Sequence, residues 1–230
     1  MRKFNKIAAL GIAGALVLGA CGSDEKKSDG PATGTVDCKP IKAGVLSVVT
    51  SLPGPNFWGT PAGETDPNQI KSGIEYDIAT KIAETCGLKM EYRNESFDAI
   101  VAGQIPENSY DIALSQVTIT DDRAKVVDFS DGYFKSDQGL LVRKGTTVGS
   151  WADVKAMNLG VQASTTAEYY LLEVPEWKTD GDVKSFVDLT SAYEALSSGQ
   201  IDGVIIDTPI NLGQAAQSNG ELEVVAQFVT

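Results

Sequence analysis

Histidine is absent from all 230 residues. Its absence excludes Ser-His-Asp and Cys-His catalysis and removes the commonest zinc ligand, so neither a catalytic residue nor a metal site is expected. Basic residues are scarce, 19 against 31 acidic. The resulting acidic surface argues against nucleic acid or an anionic lipid face as partner. Cysteine occurs three times, at Cys21, Cys38 and Cys86. Long apolar runs are missing too. The one uncharged apolar stretch, 7–20, falls short of the roughly 20 residues a membrane-spanning helix needs.

That short stretch follows a basic head of Arg2, Lys3 and Lys6 and ends in Leu18-Gly19-Ala20-Cys21. A basic head, a short apolar core and small residues before a break describe a secretory signal peptide over 1–20. The break resembles the lipobox of bacterial lipoproteins, which implies lipidation of Cys21. Two or three acyl chains on one residue anchor stably where a single chain does not. Removing 1–20 takes three of the 19 basic residues and none of the 31 acidic ones, leaving a net charge of -15. Residues 21–37 are polar and rich in Gly, Ser and Pro, and read as a flexible tether. The protein is thus expected outside the cell, lipid-anchored on the outer face of its membrane. Two leftover cysteines in an exported chain suggest a disulfide.

From residue 38 onward strand-like and helix-like segments alternate, the pattern of an α/β fold. Residues 41–49 predict a first strand, 51–72 a Gly/Pro-rich loop holding Phe57 and Trp58, and 73–86 a helix. Ile74, Ile78, Ile82 and Cys86 form that helix's apolar stripe. In a βαβ unit the helix returns to the starting edge of its strand, which brings Cys86 back to Cys38. Further strands are expected at 88–93, 110–116, 139–143, 158–162 and 202–206. Helices are expected after Ser96, Thr120, Ser150, Ser164 and Thr208, with a capping box at Ser191–Glu194. In open α/β sheets ligands bind beyond the carboxyl ends of strands. Three junctions there carry polar groups: Ser115–Arg123, Gln162–Thr166, and Asp207. An Arg fork with hydroxyls suits a carboxylate and an Asp suits an ammonium, so together they suit a zwitterion.

The stretch Ser115–Tyr133 (SQVTITDDRAKVVDFSDGY) resembles the signature of the family 3 extracellular solute-binding proteins of polar amino acid ABC transporters. Gly73–Asp77, Leu159–Thr166 and Ser198–Asp207 are similar to other patterns of that family. The resemblance implies a two-lobed periplasmic-binding-protein-like fold of type II with a ligand cleft. Lobe 1 would cover 38–139, and a crossing strand with lobe 2 would cover 140–230. A closing C-terminal return to lobe 1 is expected to be missing, leaving apolar surface exposed. Arg123 would grip an α-carboxylate with Thr118, Thr166 and its neighbours Ser164 and Thr165. Ser164 stands where the family has Gly. Asp207 would take the α-ammonium with the backbone around Gln116, and Phe57 or Trp58 would form an apolar wall. Asp77 and Asp128–Ser130 read as packing and capping residues. The implied activity is capture of an amino acid by a monomer through hinge closure, without cofactor, for a permease with a separate ATPase. Two alternatives share the fold: a sensor delivering ligand to a signalling partner, and a cyclohexadienyl-dehydratase-like enzyme with Glu168 as a possible general acid.

Overall fold

The computed structural model describes residues 37–59 and 70–230. The leader, Cys21 and nearly all of the tether lie outside the described residues, as does 60–69.

Two sheets organise the chain. The first has order β2-β1-β3, built from β1 (Val45–Thr50), β2 (Lys89–Asn94) and β3 (Ile112–Ala113), all parallel. The second has order β6-β5-β7-β4-β8. It contains β4 (Gln138–Arg143), β5 (Leu159–Gln162), β6 (Val183–Phe186), β7 (Gly203–Asp207) and β8 (Leu222–Phe228). Strands β5, β6 and β7 run parallel, while β4 is antiparallel to both β7 and β8. Leu140, Leu141 and Val142 of β4 are fully buried, as befits a strand hydrogen-bonded on both sides and covered by α5 and α6.

The helices connect strand ends to strand starts: α1 (Ile74–Thr85), α2 (Phe97–Val101), α3 (Trp151–Lys155), α4 (Thr166–Glu173), α5 (Leu189–Ser197) and α6 (Thr208–Gln217). Their caps follow side-chain chemistry. Ser96 accepts a hydrogen bond from the Ala99 amide, and Ser150 forms a capping box with Asp153. Gly73 opens α1 at φ +119°, where an added Cβ would lie 2.3 Å from the Phe57 carbonyl oxygen. Any other residue would push the loop after β1 off the helix.

Several expectations are corrected. The buried line of α1 is Glu75, Ala79 and Ala83, whereas Ile74 is exposed and Ile78 and Ile82 are half-buried. Alanine lets the helix sit close on the sheet, so the larger side chains flank the contact. Helix α5 begins at Leu189, two residues before the Ser191 motif. Its cap is Asp188, which accepts from the Ser191 amide at 2.8 Å. A carboxylate at that position caps the helix one turn earlier than the serine motif suggested. Thr208 lies inside α6 rather than capping it, and its hydroxyl donates to the Asp137 carbonyl at 2.9 Å. The strand expected over 110–116 pairs only at Ile112–Ala113, because the chain turns at Gln116 with φ +50°. Thr120 does accept from the Arg123 amide, but it opens only a short 3-10 turn, Arg123–Lys125. Near the end of the chain, Leu222–Phe228 supplies β8 at the sheet edge. In and near the 117–137 connection, Ile119, Val126, Tyr133 and Phe134 are each 45% exposed or more.

A disulfide joins Cys38 to Cys86, with Cα atoms 5.7 Å apart. Lys89, just beyond α1, pairs with Val45 at the start of β1, so helix end and strand start share one edge. Closing a 48-residue separation restricts the unfolded chain by roughly 4 kcal/mol. We expect Cys38→Ser/Cys86→Ser to lower unfolding stability by about that amount, measured by urea titration. A change within error of zero would remove the bridge from the fold's stabilising contacts.

Candidate functional site

A cavity forms where the carboxyl ends of β1, β3, β5 and β7 face one another. Ser51 follows β1, Ser115 and Gln116 follow β3, Gln162 ends β5 and Asp207 ends β7, and all of them line it. Thr118 and Arg123 enter from the connection after β3, and Thr165 and Thr166 from the start of α4. Pro53, Phe97, Leu189, Ile206 and Ile210 supply apolar wall. The free volume is about 20 Å³, room for about one water.

The charges in this cavity are few and are not paired with each other. The Arg123 guanidinium donates to two backbone carbonyls, Thr118 at 2.9 Å and Ser164 at 2.7 Å. Its central carbon stands 5.6 Å from the centre of the Phe97 ring. Among the described residues, no carboxylate approaches it within 4 Å. Burial draws its pKa down and the field of Asp207 holds it up. Asp207 accepts from the Gln138 side-chain amide at 3.0 Å. Burial pushes its carboxyl up to about 6, against hydrogen bonds from Ser136 and Gln138 and the attraction of Arg123.

Contacts from both sheets close the cavity. Beyond the Arg123–Ser164 bond, Asn56 after β1 donates to the Pro209 carbonyl on α6 at 2.7 Å. Gly213 of α6 lets this loop in, since a Cβ there would meet the Pro55 Cβ at 2.7 Å. Beside the cavity a groove of about 880 Å³ runs past Phe57, Tyr133, Phe134 and Leu212 to Thr230.

A sequence profile of the bacterial extracellular solute-binding proteins, family 3, matches residues 59–182. The chain belongs to that family. It is 31% identical over 199 residues to a glutamine-binding protein of Geobacillus stearothermophilus, covering 84% of this chain and 73% of that one. It is 30% identical over 157 residues to an arginine-binding periplasmic protein of Mannheimia haemolytica, covering 68% of this chain and 62% of that one. Among solved structures it is similar to an ancestral arginine-binding protein bound to glutamine. The TM-score is 0.67 at 32% identity, covering 82% of this chain and 81% of that one. The two sheets with their flanking helices are the two-lobed type II fold of such proteins.

Of the residues singled out in this family member's sequence, Gln116, Thr118, Arg123, Thr165, Thr166 and Asp207 come together around the cavity. Ser164 does not line it. Its carbonyl receives Arg123, and its amide donates to Glu168 at 2.7 Å. Ser164 adopts φ +63°, the left-handed conformation that a glycine would take freely. The Glu168 carboxylate also accepts from the Ser185 hydroxyl. Trp58 is fully buried in the lobe 1 core, and its indole donates to Glu75 and to the Leu114 carbonyl. It therefore cannot form the cleft wall. Phe57 packs edge-on against Phe134 and lines the neighbouring groove instead. Phe97, directly after the Ser96 cap, takes the wall position. It follows the same strand-end, helix-start logic as the residues that were singled out. Gln162 and Ser51 were legible by that rule too, as polar residues closing or following apolar strands.

Glu75 is a buried carboxylate beneath the cavity. It accepts from the Gln116 amide at 2.7 Å, the Trp58 indole at 2.8 Å, the Gln116 side chain and the Tyr133 hydroxyl. Burial raises its pKa, and these four donors oppose the rise. The Gln116 N–H is thus committed to Glu75, which leaves that residue's carbonyl for a ligand. Tyr133, in the connection between the sheets, is tied to the same carboxylate. We expect Glu75→Ala to cost about 3 kcal/mol or more, since buried donors left without acceptors cost about 1–3 kcal/mol each. Urea unfolding measures it, and a loss below about 1 kcal/mol would mean that water replaces the carboxylate.

Proposed function

We propose that this protein captures a free α-amino acid between its lobes and delivers it to an ABC permease with a separate ATPase. The observation that carries the reading is the pair of opposite charges, Arg123 and Asp207, which line one cavity without pairing to each other. An α-amino acid has the complementary pair. Its carboxylate would take the Arg123 N–H groups not used by Thr118 and Ser164, with Thr118 and Thr166 hydroxyls beside them. Its ammonium would take Asp207 and the Gln116 carbonyl. The relatives named above as glutamine- and arginine-binding proteins support an amino acid as ligand.

With about 20 Å³ free between them, the lobes part to admit an amino acid and close around it less tightly than in the empty protein. Opening breaks the Arg123–Ser164 and Asn56–Pro209 bonds between the two sides. Ligand favours closure because only the closed form offers both charged partners at once. No chemical step is needed in this cycle. Glu168, the candidate general acid of the enzymatic alternative, is occupied by the Ser164 amide and the Ser185 hydroxyl. The protein would act as a monomer, with lobe 1 over 38–139 and the crossing strand with lobe 2 over 140–230. A lipid on Cys21 would hold it to the membrane, a reading that rests on the Leu18–Cys21 pattern.

Arg123→Ala tests the proposal directly. Titration calorimetry with the 20 amino acids should identify a ligand for the unaltered chain, and the variant should bind it about 100-fold more weakly or worse. Near wild-type affinity in the variant would overturn the carboxylate assignment.

The pH dependence has a defined sign. Ligand ammonium needs ionised Asp207, whose carboxyl in the empty protein titrates at about 6. Above that value affinity should be flat. Below it, affinity should fall by up to about tenfold per pH unit, with protons released on binding. Affinity that stays constant from pH 7 to 5 would remove Asp207 as the ammonium partner.

A further inference from the structure

The cavity holds one cation and one anion among its lining residues, Arg123 and Asp207. On the amino-acid reading above, the ligand's own carboxylate and ammonium consume both. Among the described residues lining this cavity, no further charge remains to meet a charged side chain. The acids nearby are occupied. Glu168 takes two donors, and Asp188 caps α5 through the Ser191 amide. Asp98 is exposed and receives the Ser164 hydroxyl at 3.5 Å. A buried ammonium, guanidinium or second carboxylate would go unneutralised, which is far costlier than burying a neutral polar group.

Among the polar side chains lining the cavity, the Gln162 carboxamide is not engaged by another described residue. Gln162 ends β5 and is only 6% exposed. Its backbone carbonyl accepts from the Thr165 hydroxyl at 2.6 Å, while its side-chain amide has no hydrogen-bond partner among the described residues. A carboxamide offers two donors and an acceptor side by side, and a second carboxamide is its natural complement. Close by, the Ser115 hydroxyl accepts from the Ser51 amide at 2.9 Å and keeps its proton free to donate. Phe97, Leu189 and Ile210 would cover the methylenes between such an amide and the ligand backbone.

We infer that the ligand is an amino acid with an uncharged carboxamide side chain, read by the Gln162 amide at the end of β5. This inference rests on the amino-acid reading but can fail without it. The test is titration calorimetry on the 230-residue chain in detergent micelles, with glutamine, asparagine, methionine, arginine, lysine and glutamate. Glutamine or asparagine should bind about tenfold more tightly than methionine, which matches glutamine in length without its amide. Either should bind about 100-fold more tightly than the three charged amino acids. In Gln162→Leu the preference for amide over methionine should collapse about tenfold. The preference is a ratio within one protein sample, so a partly folded variant does not distort it. Tightest binding of arginine, lysine or glutamate, still lost in Arg123→Ala, would overturn the carboxamide assignment and leave amino-acid capture standing. An unaltered amide preference in Gln162→Leu would overturn the role of Gln162. No binding of any of the six, together with none of the other amino acids, would overturn both readings.

Discussion

Arg123 brings a positive charge into a half-buried cavity and finds there only carbonyl oxygens and an aromatic ring. Asp207 faces the same space from the other sheet, its carboxyl raised by burial to about 6. Much of the structure serves to hold these groups apart and dry. The carboxyl ends of four parallel-running strands converge on the gap, where α4 brings the Thr165 and Thr166 hydroxyls and α2, α5 and α6 bring apolar wall. Had the two groups met, they would have formed a salt bridge of small net value. Kept apart, each remains only partly compensated until a ligand with the matching pair arrives.

Glu75 carries this arrangement one layer down. It heads the buried line of α1, ahead of two alanines that bring the helix close to the sheet. Its four donors come from the loop after β1, from the cavity residue Gln116, and from Tyr133 in the connection between sheets. The left-handed turn at Gln116, which ends β3 after two paired residues, is therefore held by a carboxylate from a different element. A buried acid without a cation survives because hydrogen bonds satisfy both of its oxygens. Closure across the cavity rests on smaller features, such as the Asn56–Pro209 bond and the missing side chain at Gly213.

The α/β architecture, most strand positions and the Cys38–Cys86 partnership were legible because they follow from local pattern and from the geometry of a strand–helix return. Most of the cavity's polar residues were legible for a similar reason: strand ends and helix starts can be read, and ligands gather there. Cap chemistry was legible where one candidate stood alone, as at Ser96 and Ser150. It misled where two competed, as at Asp188 and Ser191. The side on which an aromatic faces was not legible. Phe57 and Trp58 are neighbours in sequence, yet one lines a groove and the other is fixed in the core by the Glu75 carboxylate.

Composition and local order by themselves determined the exclusions, the alternation of elements and the set of groups available for binding. No histidine, few cations and polar residues at strand ends are properties of short stretches. The tertiary structure alone decided which of those groups meet. Arg123 and Ser164 lie 41 positions apart and Glu75 and Gln116 likewise, while Gln138 and Asp207 are 69 apart. Burial decided the rest: the raised carboxyl of Asp207 and the inward Trp58 each depend on what several distant segments exclude from water. A sequence names the donors and acceptors, but only packing determines which of them lose their solvent and must find each other.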